Sequence, residues 1–136
     1  LIRYTSDVGG VTAEQLTGFF EGWLSQPSPE THLRILEGSD EVVLAIDDES
    51  GAVVGFVTAI TDGVLSAYVP LLEVLPEYRG RGIARELVSR LREALAGYYM
   101  VDLVCDEALA PFYEALGFRR ALAMAIRDYD SQSGRD

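Results

Sequence analysis

Apolar residues fall at two different spacings along this chain, and the spacing changes near residue 41. Residues 1–6 alternate weakly and read as a first strand. Thr12 is a candidate N-cap, and Leu16, Phe19, Phe20 and Trp23 then recur at helical spacing, so a helix is expected through about Leu24. Ser28-Pro29 marks a second helix, with a capping hydroxyl before a proline at the first helical position, and Gly38 ends it. From Glu41 the period drops to two. Val42 to Ile46 and Val53 to Ile60 are expected as a hairpin across a turn at Asp48 to Gly51. Asp62-Gly63 makes a second hairpin turn, and Val64 to Leu75 reads as one long strand. In the helix expected from Gly82 to Ala96, Ile83, Ala84, Leu87, Val88, Leu91, Ala94 and Leu95 share one face, with Glu86 four residues before Arg90 on the other. Gly97 ends that helix. Met100 to Val104 is then a short buried strand, which a right-handed crossover would set parallel to the Val64–Leu75 strand. Ala108 to Leu116 is a short helix with Pro111 in its first turn and Gly117 after its end. Ala121 to Arg127 reads as a last strand, and Asp128 to Asp136 as a disordered tail. The order β-α-α-β-β-β-α-β-α-β over residues 1–127 describes one α/β domain, a mixed central sheet flanked by helices.

The strongest chemical signal lies between the long strand and the clearest helix, in Pro76-Glu77-Tyr78-Arg79-Gly80-Arg81-Gly82-Ile83-Ala84-Arg85. A strand-to-helix turn with two glycines and flanking arginines suits a polyanion, because the first N–H groups of a helix lack partners and its dipole favours negative charge. A P-loop would need a Lys-Ser or Lys-Thr pair that this turn lacks. A dinucleotide fingerprint would need a third glycine where Arg85 stands, and an earlier place in the chain.

Arg79-Gly80-Arg81-Gly82-Ile83-Ala84 matches Gln/Arg-x-x-Gly-x-Gly/Ala, and so resembles the pyrophosphate signature of the GNAT superfamily of N-acetyltransferases. Upstream, Leu72 to Tyr78 looks like the family's fourth strand running into its signature loop. Downstream, Pro111-Phe112-Tyr113-Glu114-Ala115-Leu116-Gly117-Phe118 is similar to its second motif, a helix ending in Gly-Phe. The element order agrees from Leu1 to about Arg127. The resemblance implies a GNAT fold that opens between the fourth and fifth strands to take acetyl-CoA. The groups near Val74 would pair with the pantetheine amides. The N–H groups of Arg79, Gly80, Arg81, Gly82, Ile83 and Ala84 would cradle the pyrophosphate, with Arg79 or Arg81 adding charge. It further implies that Tyr113 protonates or orients the departing CoA sulfur. The implied reaction is direct transfer of acetyl to a primary amine, of a small molecule or a lysine side chain, through a ternary complex. The alternatives are a non-catalytic CoA- or acyl-CoA-binding module that keeps the turn without the chemistry, and a nucleotide-binding protein.

The residues themselves supply a candidate base. Glu73 interrupts an apolar strand, so its carboxylate must meet water or a partner, and an active-site cleft would provide the former. An exposed or ion-paired Glu73 is the structural alternative, and a water chain would serve as the base instead. His32, the sole histidine, reads as a surface position on the second helix. Cys105 reads as a small buried hydrophobe, and Phe19, Phe20 and Trp23 as packing for the first helix; Tyr68 is a further candidate for the acceptor pocket.

Composition narrows the partners. A net charge of −11 offers no basic footprint to nucleic acid or to an anionic membrane, and leans toward a cationic acceptor. A single cysteine excludes an internal disulfide and a multi-cysteine metal site, and fits the cytoplasm. No metal is expected. A homodimer is compatible with the sequence but not read from it.

Overall fold

A computed structural model describes residues 1–136. Its strands are β1 (Ile2–Thr5), β2 (Glu41–Asp47), β3 (Val53–Thr61), β4 (Ser66–Tyr68), β5 (Leu72–Val74) and β6 (Met100–Asp102), and its helices are α1 (Pro29–Gly38), α2 (Ile83–Ala94) and α3 (Ala110–Ala115). The sheet runs β1-β2-β3-β4-β6, and β5 pairs with β3 off that path. All pairings are antiparallel except β4 with β6, which is parallel across α2 as the crossover rule requires. The β2–β3 hairpin is the buried centre, with Leu44, Ala45, Val53, Val54, Phe56 and Val57 fully enclosed.

The sheet separates two packing layers. Gly55 lies under α2, where an added Cβ would meet Leu87 at 3.1 Å and Ile83 and Val74 at 3.3 Å. The missing side chain therefore lets α2 settle onto β3, and Val74 belongs to the same face. Phe56, one residue on, points the other way, onto His32 of α1 and Phe19. A smaller cluster of Val88, Tyr113 and Leu116 joins α2 to α3.

Four expectations give way to tertiary structure. The helix expected from Thr12 to Leu24 is only a 3₁₀ turn, Ala13–Leu16, closed by the Thr12 N–H donating to Gln15 Oε1 at 2.8 Å. Gly18, Phe20 and Gly22 all take positive φ, which a helix cannot contain. The long strand from Val64 to Leu75 is two strands, both on the same edge of β3. Tyr68 faces Ile60 and Leu72 faces Val57, so one extra residue bulges between them, at Val69 to Leu71. Pro70 sits in that bulge, where no rung needs its absent N–H. The last strand, Ala121 to Arg127, joins no sheet. The tail expected to be disordered forms a turn at Tyr129–Ser131 and returns to α1. There the Ser25 N–H donates to Gln132 Oε1 at 2.9 Å, and Arg34 Nη2 donates to the Arg135 carbonyl at 2.7 Å.

Candidate active site

The turn before α2 is built to leave donors free. Gly80 (φ 76°) and Gly82 (φ 79°) are both left-handed, and Gly82 is the N-cap of α2. The Arg79 N–H donates to the Pro76 carbonyl, and the next bonded amide is that of Glu86, which donates to Gly82. The six N–H groups from Gly80 to Arg85 between them have no partner in the protein. A Cβ on Gly80 or Gly82 would meet nothing within 4 Å, so the space beside the two glycines is open. It belongs to a cavity of about 200 Å³ lined by Val74, Tyr78, the turn and Phe112. The Tyr78 hydroxyl donates to Asp47 Oδ2 at 2.5 Å, tying the turn to the end of β2. That bond holds the Asp47 carboxyl below its usual range and raises the Tyr78 phenol. The Arg81 guanidinium lies 5.0 Å from the Tyr78 ring centre. Arg79 is committed elsewhere. Its Nε donates to the Val74 carbonyl at 3.0 Å, and its Nη2 pairs with Glu21 at 2.8 Å.

The bulge at Pro70 opens the sheet beside this turn. The Val69 N–H still donates to the Asp102 carbonyl of β6 at 2.9 Å, but beyond it β5 pairs only with β3. The Leu75 N–H donates to Val54 O and the Thr58 N–H to Leu71 O, so the register turns Leu71, Glu73 and Leu75 toward β3. The backbone groups of Leu72 and Val74 consequently point into the gap facing β6. Of these, the Val74 carbonyl is already held by Arg79.

Tyr113 and Glu73 flank this gap from opposite faces of the sheet. Tyr113 packs between Phe112 (ring centres 5.0 Å apart) and Phe118 (5.7 Å), on the α2 side with Leu72 and Val88. Its hydroxyl has no hydrogen-bond partner in the protein, and burial pushes its pKa up to about 12, with the Cys105 thiol adding to the shift. Cys105 itself is partly exposed rather than buried. On the other face, both oxygens of Glu73 accept backbone N–H groups, Oε1 from Phe20 at 2.8 Å and Oε2 from Glu21 at 3.2 Å. Glu73 thus organises the 17–23 loop and is not an unengaged carboxylate. A carboxylate offers about four acceptor positions, so lone pairs remain.

Residues 38–120 match the sequence pattern of the acetyltransferase (GNAT) domain. The chain belongs to the GNAT acetyltransferase family. A crystal structure of a Deinococcus radiodurans protein, assigned as an acetyltransferase by inference, is 48% identical, with a TM-score of 0.96 over 99% of this chain and 94% of that one. A Gibberella zeae protein with the same inferred assignment is 33% identical over 84 residues; the match takes in 60% of this chain and 45% of that protein. An aminoglycoside N-acetyltransferase crystallised with CoA shares the fold at 19% identity, with a TM-score of 0.64 over 94% of this chain and 93% of that one.

This GNAT chain has a second cavity, of about 250 Å³, on the Glu73 face, lined by Gly18, Phe19, Phe20, Gln26, Pro27 and His32 among others. Phe20 takes φ 64°, a rare conformation for an aromatic residue, and its ring lies buried against His32 (4.9 Å) and Trp23 (4.9 Å). His32, expected at the surface, is 1% exposed, and neither ring nitrogen has a partner. The sequence held no signal for this, because only the fold brings Phe19, Phe20 and Phe56 around the ring.

Burial lowers the His32 pKa from 6.5 to about 4. Above about pH 7.5 the ring is neutral in both folded and unfolded chains and has no effect on the balance. As pH falls toward 4 the unfolded chain takes up a proton that the native one refuses, so stability should fall by roughly 3 kcal/mol. Urea unfolding of the wild type and of His32→Leu at about pH 7.5 and about pH 4.5 checks this. The variant should lack this part of the acid loss. Glu73 yields a separate expectation. Glu73→Ala orphans the buried Phe20 N–H and removes the anchor of the loop, at a cost of about 2 kcal/mol by urea unfolding.

Proposed function

We propose that this GNAT protein is an N-acetyltransferase that carries acetyl from acetyl-CoA to a primary amine through a ternary complex. The observation that carries the reading is the run of six unpartnered N–H groups, 80 to 85, at the mouth of a gap lined by open-edge backbone of β5. Unpartnered donors in a turn that lines an open cavity fit a pyrophosphate, and strand-edge amides fit the amide-bearing arm of CoA. Acetyl-CoA supplies an activated thioester. Gly80, Arg81, Gly82, Ile83 and Ala84 bind its phosphates, and Arg81 and Arg85 leave charge available beside them. Val74 offers its N–H to the arm. Arg79 acts indirectly, holding the Val74 carbonyl and linking the turn to Glu21 of the 17–23 loop.

Tyr113 presents an O–H to the departing sulfur. A phenol held near 12 keeps its proton at neutral pH, above the ordinary range of a thiol (about 8.5). It therefore acts as a hydrogen-bond donor to developing thiolate charge, which it stabilises more than it stabilises the neutral thioester. The acceptor amine enters from the other face, through the cavity walled by Phe19, Phe20 and His32. The amine must shed a proton before it attacks. Glu73, whose two oxygens already carry backbone bonds, sets the wall of that entrance and draws a cation toward it, and water accepts the proton. The net negative charge of the chain suits the same cationic acceptor, a small amine or a lysine side chain.

Calorimetric titration with acetyl-CoA, against ATP and NAD as comparators, tests the reading. Selective binding of acetyl-CoA, followed by thiol release when amines are supplied, is the expected result. A folded sample that binds none of the three overturns it.

A further inference from the structure

Two side chains, His32 and Thr58, bury polar atoms that bond to nothing in the protein, and of the two only His32 lines a cavity. Its ring lies edge-on to Phe19 (centres 5.2 Å apart) and Phe20 (4.9 Å), and 4.3 Å from the ring of Phe56. An imidazole placed there gives up its hydrogen bonds to water and regains none from the protein, which disfavours the site unless a ligand supplies them. Phe20 is the cover over the ring. It is itself buried and holds φ 64°, between Gly18 (φ 94°) and Gly22 (φ 83°). A Cβ on Gly22 would meet nothing within 4 Å, so the loop has room on that side, and the strain at Phe20 is relieved when the loop leaves this conformation.

The chemistry around His32 narrows what can bond it. The ring is neutral at neutral pH and so has one N–H to donate and one nitrogen to accept. Glu21, the one charged residue of the lining, is already paired with Arg79. Gln26 is engaged as well, its amide donating to the Phe20 carbonyl at 3.0 Å, and Pro27 and Pro29 offer no donor. A second ammonium would find no free counter-charge among these groups, whereas a hydroxyl can bond either nitrogen of a neutral imidazole. We propose, on the reading that this cavity receives the acceptor, that His32 selects an amino alcohol. The hydroxyl sits at the end remote from the reacting amine and bonds a ring nitrogen of His32 when Phe20 gives way. A plain alkylamine leaves the imidazole unpaired and is the poorer acceptor.

His32 is the only histidine, so the imidazole nitrogen resonances of the wild-type protein report this residue alone. They are to be followed by NMR, with and without CoA, during titration with amino alcohols from ethanolamine to aminohexanol. Each is compared with the alkylamine that carries a methyl in place of the hydroxyl. At least one amino alcohol should shift the ring nitrogens while its alkylamine counterpart does not. In steady-state kinetics with saturating acetyl-CoA, kcat/KM should favour that amino alcohol over its counterpart by about tenfold or more, and His32→Leu should bring the ratio to about one. Ring signals that no amino alcohol moves, or that the alkylamines move equally, overturn the proposal. So does a His32→Leu protein that loses activity toward both members of the pair alike. Acetyl transfer without a preference for the hydroxyl removes His32 as the selecting residue and leaves the transferase reading standing. Selective ring shifts in a protein that never transfers acetyl keep the recognition and remove the transferase.

Discussion

Tyr113→Phe should lower kcat for acetyl transfer by roughly a hundredfold or more while acetyl-CoA affinity stays nearly unchanged. The substitution removes one oxygen from a ring that already packs on Phe112 and Phe118, so the α2–α3 cluster loses no volume. No protein group is orphaned, because the hydroxyl has no partner to leave behind. On the proposed reading, what disappears is a donor aimed at charge that exists only as the thioester breaks, and such an interaction enters kcat without entering ground-state binding. Steady-state kinetics with a saturating amine, beside calorimetry with acetyl-CoA, separates the two quantities. Unchanged turnover would remove Tyr113 from the chemistry. A wild type that binds acetyl-CoA and never turns over would favour the non-catalytic binding module.

Gly82→Val should weaken acetyl-CoA binding by on the order of a hundredfold, through two effects that a control can separate. The first is conformational. Gly82 has φ 79°, and a β-branched side chain there costs about 1–2 kcal/mol or displaces the turn. The second is local exclusion. The Cβ would project into open space beside the unpartnered amides, and each charged hydrogen bond it prevents is worth about 1.5–3 kcal/mol. Gly63, in the turn between β3 and β4, has the same φ of 79° and equally open surroundings. Gly63→Val therefore carries the strain without touching the turn before α2. Calorimetry should find binding lost for Gly82→Val and kept for Gly63→Val, with thermal melts lowered in both.

The two cavities also differ in what each demands of the chain. The turn before α2 uses backbone groups, so its side chains tolerate exchange provided the glycines stay. The Glu73 face uses side chains and a strained loop: Phe20 keeps its φ of 64° because Glu73 holds its N–H and three aromatic neighbours hold its ring. Acceptor choice is accordingly expected to respond to changes at Phe19, Phe20 and His32, and cofactor binding far less.

Local spacing determined the elements whose stabilising contacts are close in sequence. Ser28-Pro29 starts α1 because the Ser28 hydroxyl accepts the Thr31 N–H, and the apolar face of α2 and the β2–β3 hairpin form where their periods place them. The phosphate-type turn was legible for the same reason, since two left-handed glycines before a helix dictate free amides whatever surrounds them. Contacts distant in sequence decided the rest. Glu73, 53 residues from Phe20, draws the 17–23 segment out of the helix its periodicity suggests and so acquires partners that no spacing announced. The burial of His32 and the bulge that opens β5 from β6 are likewise products of packing between remote elements, whereas 121–127, patterned as a strand, joins no sheet. A periodic pattern records which residues are to be buried. It does not record against what, and at 121–127 the alternating Leu122, Met124 and Ile126 stay exposed.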